Sequence, residues 1–371
     1  MSRLEPWVEL PGMSTRGPDD VEAATEFCNQ RGWGDGLPIV PPTVARVERM
    51  LAYNHRPLNE TIGQLAPRYG ALTPLRVAAN AVMAGCRPEY FPLVLLALEA
   101  MAVEDFNLNG LQTTTHPGAP LAIFNGPIAR EVGINGSHNA FGPGWPANAT
   151  IGRAIRLALL NIGGATPITS DMATMGSPAK YGYVVAEHEE ANPWEPLHVE
   201  RGFARDTTTV TVVAAEGPHN VNDHYSVAGE SVLTMLAGTM ASTGANNLYY
   251  RGEPVVALAP EHAAAIAASG YSKLDVKRFL QQRASAVLGR FSPENIEGRF
   301  RVRRPDLYAH ADLETRVPMF EFAEDLIVIV LGGAGKHSMI LPSFGPTRAV
   351  TRALTRADGT PARSIAELKV V

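Results

Sequence analysis

Thr207-Thr-Thr-Val-Thr-Val-Val-Ala214 is the stretch whose reading decides the fold class. Almost every position carries a β-branched side chain, which crowds a helical turn but packs well on a pleated sheet, so the segment reads as a strand. Leu326-Ile-Val-Ile-Val-Leu331 is wholly apolar and reads as a buried strand. Residues 121–124 and 255–259 are shorter strands of the same kind, and 37–40 is a short apolar run that reads as strand-like. Helical signals lie between. Thr73-Pro74 supplies an N-cap and a proline at the first helical position, and Gly85 closes that helix; Pro88-Glu89 opens another that runs to about residue 103. Further helices are expected over 20–30, 43–51, 147–161, 228–239, 260–268 and 273–288, the last with a capping box between Ser272 and Asp275.

Short strands alternating with helices define an α/β or mixed α+β fold in two lobes. The expected boundaries are a flexible N-terminal arm over 1–19, a first lobe over 20–203 and a second over 204–371. The charged stretch 291–313 reads as a surface excursion.

A net charge of −5, a sequence pI of about 6.1 and no basic run give no nucleic-acid footprint. A small anionic or neutral metabolite fits the composition better. Cys28 and Cys86 lie 58 positions apart with no CxxC, so neither a disulfide scaffold nor a four-thiolate zinc site is indicated, although one disulfide stays open. The N-terminus lacks an apolar signal core, and no apolar run reaches the roughly 18 residues of a membrane span. The expectation is a cytoplasmic homo-oligomer that binds neither membrane nor nucleic acid.

Asn80-Ala-Val-Met-Ala-Gly-Cys86-Arg-Pro-Glu-Tyr90 places a cysteine at the junction of two helices. Unpaired N–H groups and Arg87 would stabilise a thiolate there, making Cys86 a nucleophile; the alternative is a small apolar residue filling a tight corner. His116 in Thr113-Thr-Thr-His116 and His138 in the Gly- and Asn-rich loop 133–144 are candidates for proton transfer, or plain surface residues. That loop has few apolar groups to offset its ordering entropy, so a ligand or a packed scaffold must hold it.

Asn80 and Asn148 lie on expected helices, where asparagine needs a second reason to be tolerated. Arg153 emerges beside an apolar helical stripe. Gly333-Ala-Gly335-Lys336 follows a strand and resembles a cradle for a carboxylate or other small anion, but His337 breaks the full P-loop spacing. Arg87, Asn80, Asn148, Arg153, Gly333, Gly335 and Lys336 therefore form the expected substrate-binding set. Arg31-Gly-Trp-Gly-Asp-Gly36 is a further place for an active-site loop. No cofactor is expected; the alternative is a divalent metal on His188, His198, His219 and His224, none of which has the HExxH spacing.

Gly34-Asp-Gly-Leu-Pro38 with Pro41-Pro42-Thr43, the Asn80 to Glu89 segment, Asn125-Gly-Pro127 and Asn148-Ala-Thr-Ile-Gly-Arg153-Ala-Ile-Arg156 carry a likeness, joined by Pro193-Trp194-Glu195-Pro196 and His198-Val-Glu200-Arg201-Gly202. In these the chain resembles a bacterial family encoded near small proteins with a UGSC motif, U being selenocysteine or its cysteine replacement. The likeness covers about residues 34–220 well and the remainder loosely. It implies a redox or thiol-linked setting, with any UGSC partner on a separate chain. The function expected is an enzyme acting on a small anionic metabolite through a Cys86-centred site, of hydrolase, lyase or thiol-exchange type. The alternatives are a metal-dependent hydrolase or lyase, and a non-catalytic subunit that docks a small redox protein.

Overall fold

The computed structural model describes residues 4–7 and 16–370. Short strands and helices alternate along them in a mixed α/β architecture. The chain forms two compact units: Met1–Glu187 with His198–Ala214 and Ala349–Val371, and His188–Leu197 with Ala215–Arg348. The chain thus enters and leaves the second unit twice, where the sequence reading placed a single passage after residue 203. The reason is sheet pairing: Val350–Ala353 pairs antiparallel with Thr209–Ala215, which draws the C-terminal segment into the first unit. Of the expected arm, 1–3 and 8–15 lie outside the described residues; Leu4–Pro6 pairs antiparallel with Arg16–Pro18.

In the first unit the strand order is Val350–Ala353, Thr209–Ala215, Ala119–Asn125, Val184–Ala186. The helices Pro74–Met83, Phe91–Met101 and Pro146–Asn161 pack on one another. Phe91–Met101 is apolar all round, as a helix inside a core must be, and ten of its eleven residues are buried. Glu99 is the exception. Gly126 shows why glycine is required in Asn125-Gly-Pro127: its φ is +90°, and a Cβ there would lie 2.5 Å from the Thr207 carbonyl oxygen.

In the second unit the order is Ile327–Val330, Val255–Leu258, His337–Leu341, His219–Asn222, the first pair parallel and the others antiparallel. Gly229–Met240, Pro260–Ala268 and Lys273–Arg283 bury Leu233, Leu236, Ile266 and Leu280 in this unit's core.

Three local expectations are corrected. Residues 37–40 form no strand, being held instead by Val40 N–H donating to the Met83 carbonyl. The helix from Lys273 ends at Arg283, because Ser285–Val287 is taken up by pairing with Arg316–Pro318. The 291–313 stretch is no surface excursion: Phe291, Phe300 and Tyr308 are buried, with ring centroids of Phe291–Phe300 at 4.8 Å and Phe300–Tyr308 at 5.4 Å. Its charges mask three aromatic anchors. Among the described residues, no helix is long and apolar enough to cross a membrane.

Candidate functional site

Cys86 sits at the expected helix corner, but its sulfur turns inward and donates to the Thr150 carbonyl at 3.2 Å. Burial pushes its thiol up to about 12, against weaker downward pulls from the Thr150 hydrogen bond and the Arg153 charge. The expected thiolate is reversed, because desolvation outweighs nearby positive charge. Arg87 is exposed, and the turn after Cys86 is a three-residue Pro88–Tyr90 segment. Cys86 is half-buried and Cys28 fully buried, the Cys28 thiol pushed up to about 11, and neither is in a disulfide.

Arg153 makes a bidentate pair with Asp35, Nε to Oδ2 and Nη2 to Oδ1 both at 2.8 Å. This fixes the 31–36 loop against the Pro146–Asn161 helix. Asn161 Nδ2 adds bonds to the Trp33 carbonyl at 3.1 Å and to Asn80 Oδ1 at 2.7 Å. Arg31 lies 3.6 Å over the Phe27 ring, completing the anchorage. Cys86, Asn80 and the glycine loop are therefore each tied to the Pro146–Asn161 helix, through Thr150, Asn161 and Arg153.

Asn148 has a structural reason for its helical position. Its Oδ1 accepts from Asn135 N–H at 2.8 Å, while Nδ2 donates to the carbonyls of Asn135 at 2.9 Å and Val184 at 3.0 Å. The packed scaffold that the 133–144 loop required is this amide. His138 is exposed beside Ser137 Oγ at 3.3 Å, and His116 Nδ1 accepts from Gly118 N–H at 3.1 Å.

In the second unit, Gly333, Gly335 and Lys336 lead into the His337–Leu341 strand, so no helix N-terminus follows to hold an anion. Lys336 Nζ donates to the carbonyls of His224 and Ser226, each at 3.2 Å. His188 Nδ1 faces the Gly332 carbonyl at 2.9 Å, and His219 is exposed. His198 belongs to the first unit, buried with Nε2 3.2 Å from the Arg205 carbonyl. Among the described residues, no group of three His, Cys, Asp or Glu is placed to hold a metal.

Two titratable groups with perturbed protonation share a cavity elsewhere in the first unit. His55, Arg56 and Glu99 line one cavity of about 50 Å³ together with Tyr53, Leu96 and Thr355. Arg56 Nη2 lies 3.1 Å from Glu99 Oε1, and the Glu99 side chain is 14% exposed. Burial holds the Glu99 carboxyl above the ordinary carboxylate range, although Arg56 and Arg352 pull the other way and Glu60 adds to the rise. His55 is exposed overall; partial desolvation, followed by the Arg56 charge, lowers its imidazole from the ordinary value, while Glu60 pulls the other way. Asn54 shapes the turn, its Nδ2 donating to the Arg56 carbonyl at 2.7 Å, and Val370 N–H ties the C-terminal segment to the Ala52 carbonyl at 2.7 Å. A carboxyl that holds its proton more tightly than usual, an imidazole that holds its proton less tightly and a guanidinium lining one cavity can donate a proton, accept one and hold an anion.

Two other cavities fit less well. One of about 10 Å³ beside Arg156 and Lys180 has room for a single water. A groove of about 710 Å³ beside Gln64, Tyr69 and Asn107 carries Glu104 and no cation. Sequence reasoning missed His55, Arg56 and Glu99, yet one signal was present: Glu99 is the sole ionisable residue of the apolar helix Phe91–Met101. Comparison of the chain with protein-family models, curated proteins and solved structures finds no match.

Proposed function

We propose that the first unit is an acid–base enzyme of hydrolase or lyase type acting on a small anionic molecule, with Glu99 as proton donor, His55 as proton acceptor and Arg56 as the anion's anchor. The observation that carries this reading is that the three side chains line one cavity, with Arg56 3.1 Å from Glu99. The environment raises the acid and lowers the base, the directions that favour proton donation by Glu99 and proton release by His55. The anionic substrate class of the sequence reading is retained, while proton transfer passes from Cys86 to Glu99 and His55. The two free thiols support a reducing, cytoplasmic setting.

The test is product formation by the full chain from a panel of small carboxylates and phosphate esters, repeated with Glu99→Gln and His55→Gln. Each substitution is expected to lower turnover about 10²- to 10⁴-fold, the usual share of general acid–base catalysis. Turnover of a panel member that both variants leave unchanged overturns the assignment.

A further inference from the structure

The second unit carries a pair of histidines that neither the cavity nor the proton-transfer reading uses. Strands His219–Asn222 and His337–Leu341 run antiparallel with His337 opposite Asn222, and His224 lies just past the end of the first. The Nε2 atoms of His224 and His337 stand 3.1 Å apart. His337 Nδ1 lies 3.0 Å from Asn220 Oδ1. An amide oxygen only accepts, so the His337 proton sits on Nδ1 and the Nε2 lone pair faces His224. The Lys336 bonds to the His224 and Ser226 carbonyls tie the turn bearing one ring to the strand bearing the other.

Ring positions separate two uses of such a pair. Two imidazoles bound to one ion at about 2.0–2.1 Å, with bonds about 90–110° apart, have nitrogens about 2.9–3.4 Å apart and ring centres about 4.5–5.2 Å apart. Two rings meeting head-on over a shared proton at that nitrogen separation have centres about 5.4 Å apart. The observed centroid separation is 4.7 Å, with the rings 80° apart. The observed separation falls within the shared-ion range and short of the head-on value.

We propose that His224 and His337 form a two-imidazole site for a late first-row divalent cation, Cu(II) or Zn(II), with Asn220 as the positioning residue for the His337 ring. Imidazole selects these ions over Mg(II) and Ca(II), and the order of affinities places Cu(II) first. With no third protein ligand among the described residues, water or a small exogenous donor fills the open positions. The site is independent of the proposed Glu99 chemistry.

The test is titration of the untagged full chain with Cu(II) in the presence of glycine as a competing chelator, followed by calorimetry and electron paramagnetic resonance. One equivalent with two-nitrogen coupling is expected. Asn220→Ala weakens it about 10- to 100-fold, the range for loss of a partner that orients a ligand, and His337→Ala and His224→Asn weaken it further. Both histidines are exposed, so circular dichroism is expected to show either variant folded, and each tests the site by itself. Binding that is equal in the unsubstituted protein and both histidine variants, or no competitive binding at all, overturns the proposal.

Discussion

Arg56 Nη2 lies 3.1 Å from Glu99 Oε1, yet the Glu99 carboxyl is held above the ordinary carboxylate range. The helix that carries it is otherwise wholly buried, and removing a carboxylate from water outweighs a single guanidinium contact.

A carboxyl whose folded value is raised contributes stability that is complete below its unfolded value and lost as pH rises through its folded value. The unfolded value is near 4.5, so the window opens there and extends upward. Arg56, Arg352, Glu60 and His55 surround the group. Glu99→Gln cannot ionise, so relative to that variant the unsubstituted protein loses stability between about pH 4 and pH 8. Urea unfolding at both pH values measures this, and an offset identical at the two contradicts it.

Asp35 and Arg153 are 5% and 13% exposed in their side chains. Asp35→Ala strands a buried guanidinium and is expected to destabilise the protein by about 3–5 kcal/mol. Replacing both by apolar residues of similar size is expected to restore much of that loss. Thermal or denaturant unfolding checks both, and a single-substitution effect below about 1 kcal/mol would place the pair among weak surface bridges.

Cys86 is expected to resist iodoacetamide in the folded protein near neutral pH and to react on unfolding. Its thiol moves from 9.0 to about 12. The raised folded value means that its contribution to stability is complete below 9.0 and lost as pH rises toward about 12. Cys86→Ser is therefore expected to soften the alkaline loss of stability. Mass spectrometry of alkylated protein decides the first point, and rapid labelling of folded protein below pH 8 would contradict it.

Asn148→Ala leaves the backbone groups of Asn135 and the Val184 carbonyl without this partner. A cost of about 1–3 kcal/mol per buried group left unsatisfied is expected. Hydrogen exchange is expected to rise in the 133–144 loop and not in the Phe91–Met101 helix. A uniform rise through the first unit would show global loosening instead.

Local signals were legible where their physics is local. Thr73 accepts from Arg76 N–H with Pro74 at the first turn, and Ser272 and Asp275 close their capping box as the spacing indicates. Asn80 and Asn148 stand out in the sequence because asparagine on a helix needs a second reason, and Arg153 because it emerges beside an apolar stripe. Their partners were hidden, since Asp35 lies 118 positions from Arg153 and Asn161 lies 81 from Asn80. Ser285–Val287 reads as helix because its pairing strand is distant in sequence, and Glu99 was passed over as one acid in a long apolar run. The Cys86 corner was placed correctly while its electrostatics were inverted. Sequence shows the neighbouring cation, whereas burial belongs to the whole fold.

Site-resolved NMR titration of the Glu99 carboxyl and the His55 ring, without and with saturating acetate as a small-anion probe, tests the central claim most directly. The account predicts that Glu99 titrates above the ordinary carboxylate value, that His55 titrates below the ordinary imidazole value, and that acetate shifts both along with the Arg56 guanidinium signal. Ordinary values at both groups, with no response to acetate, would contradict it.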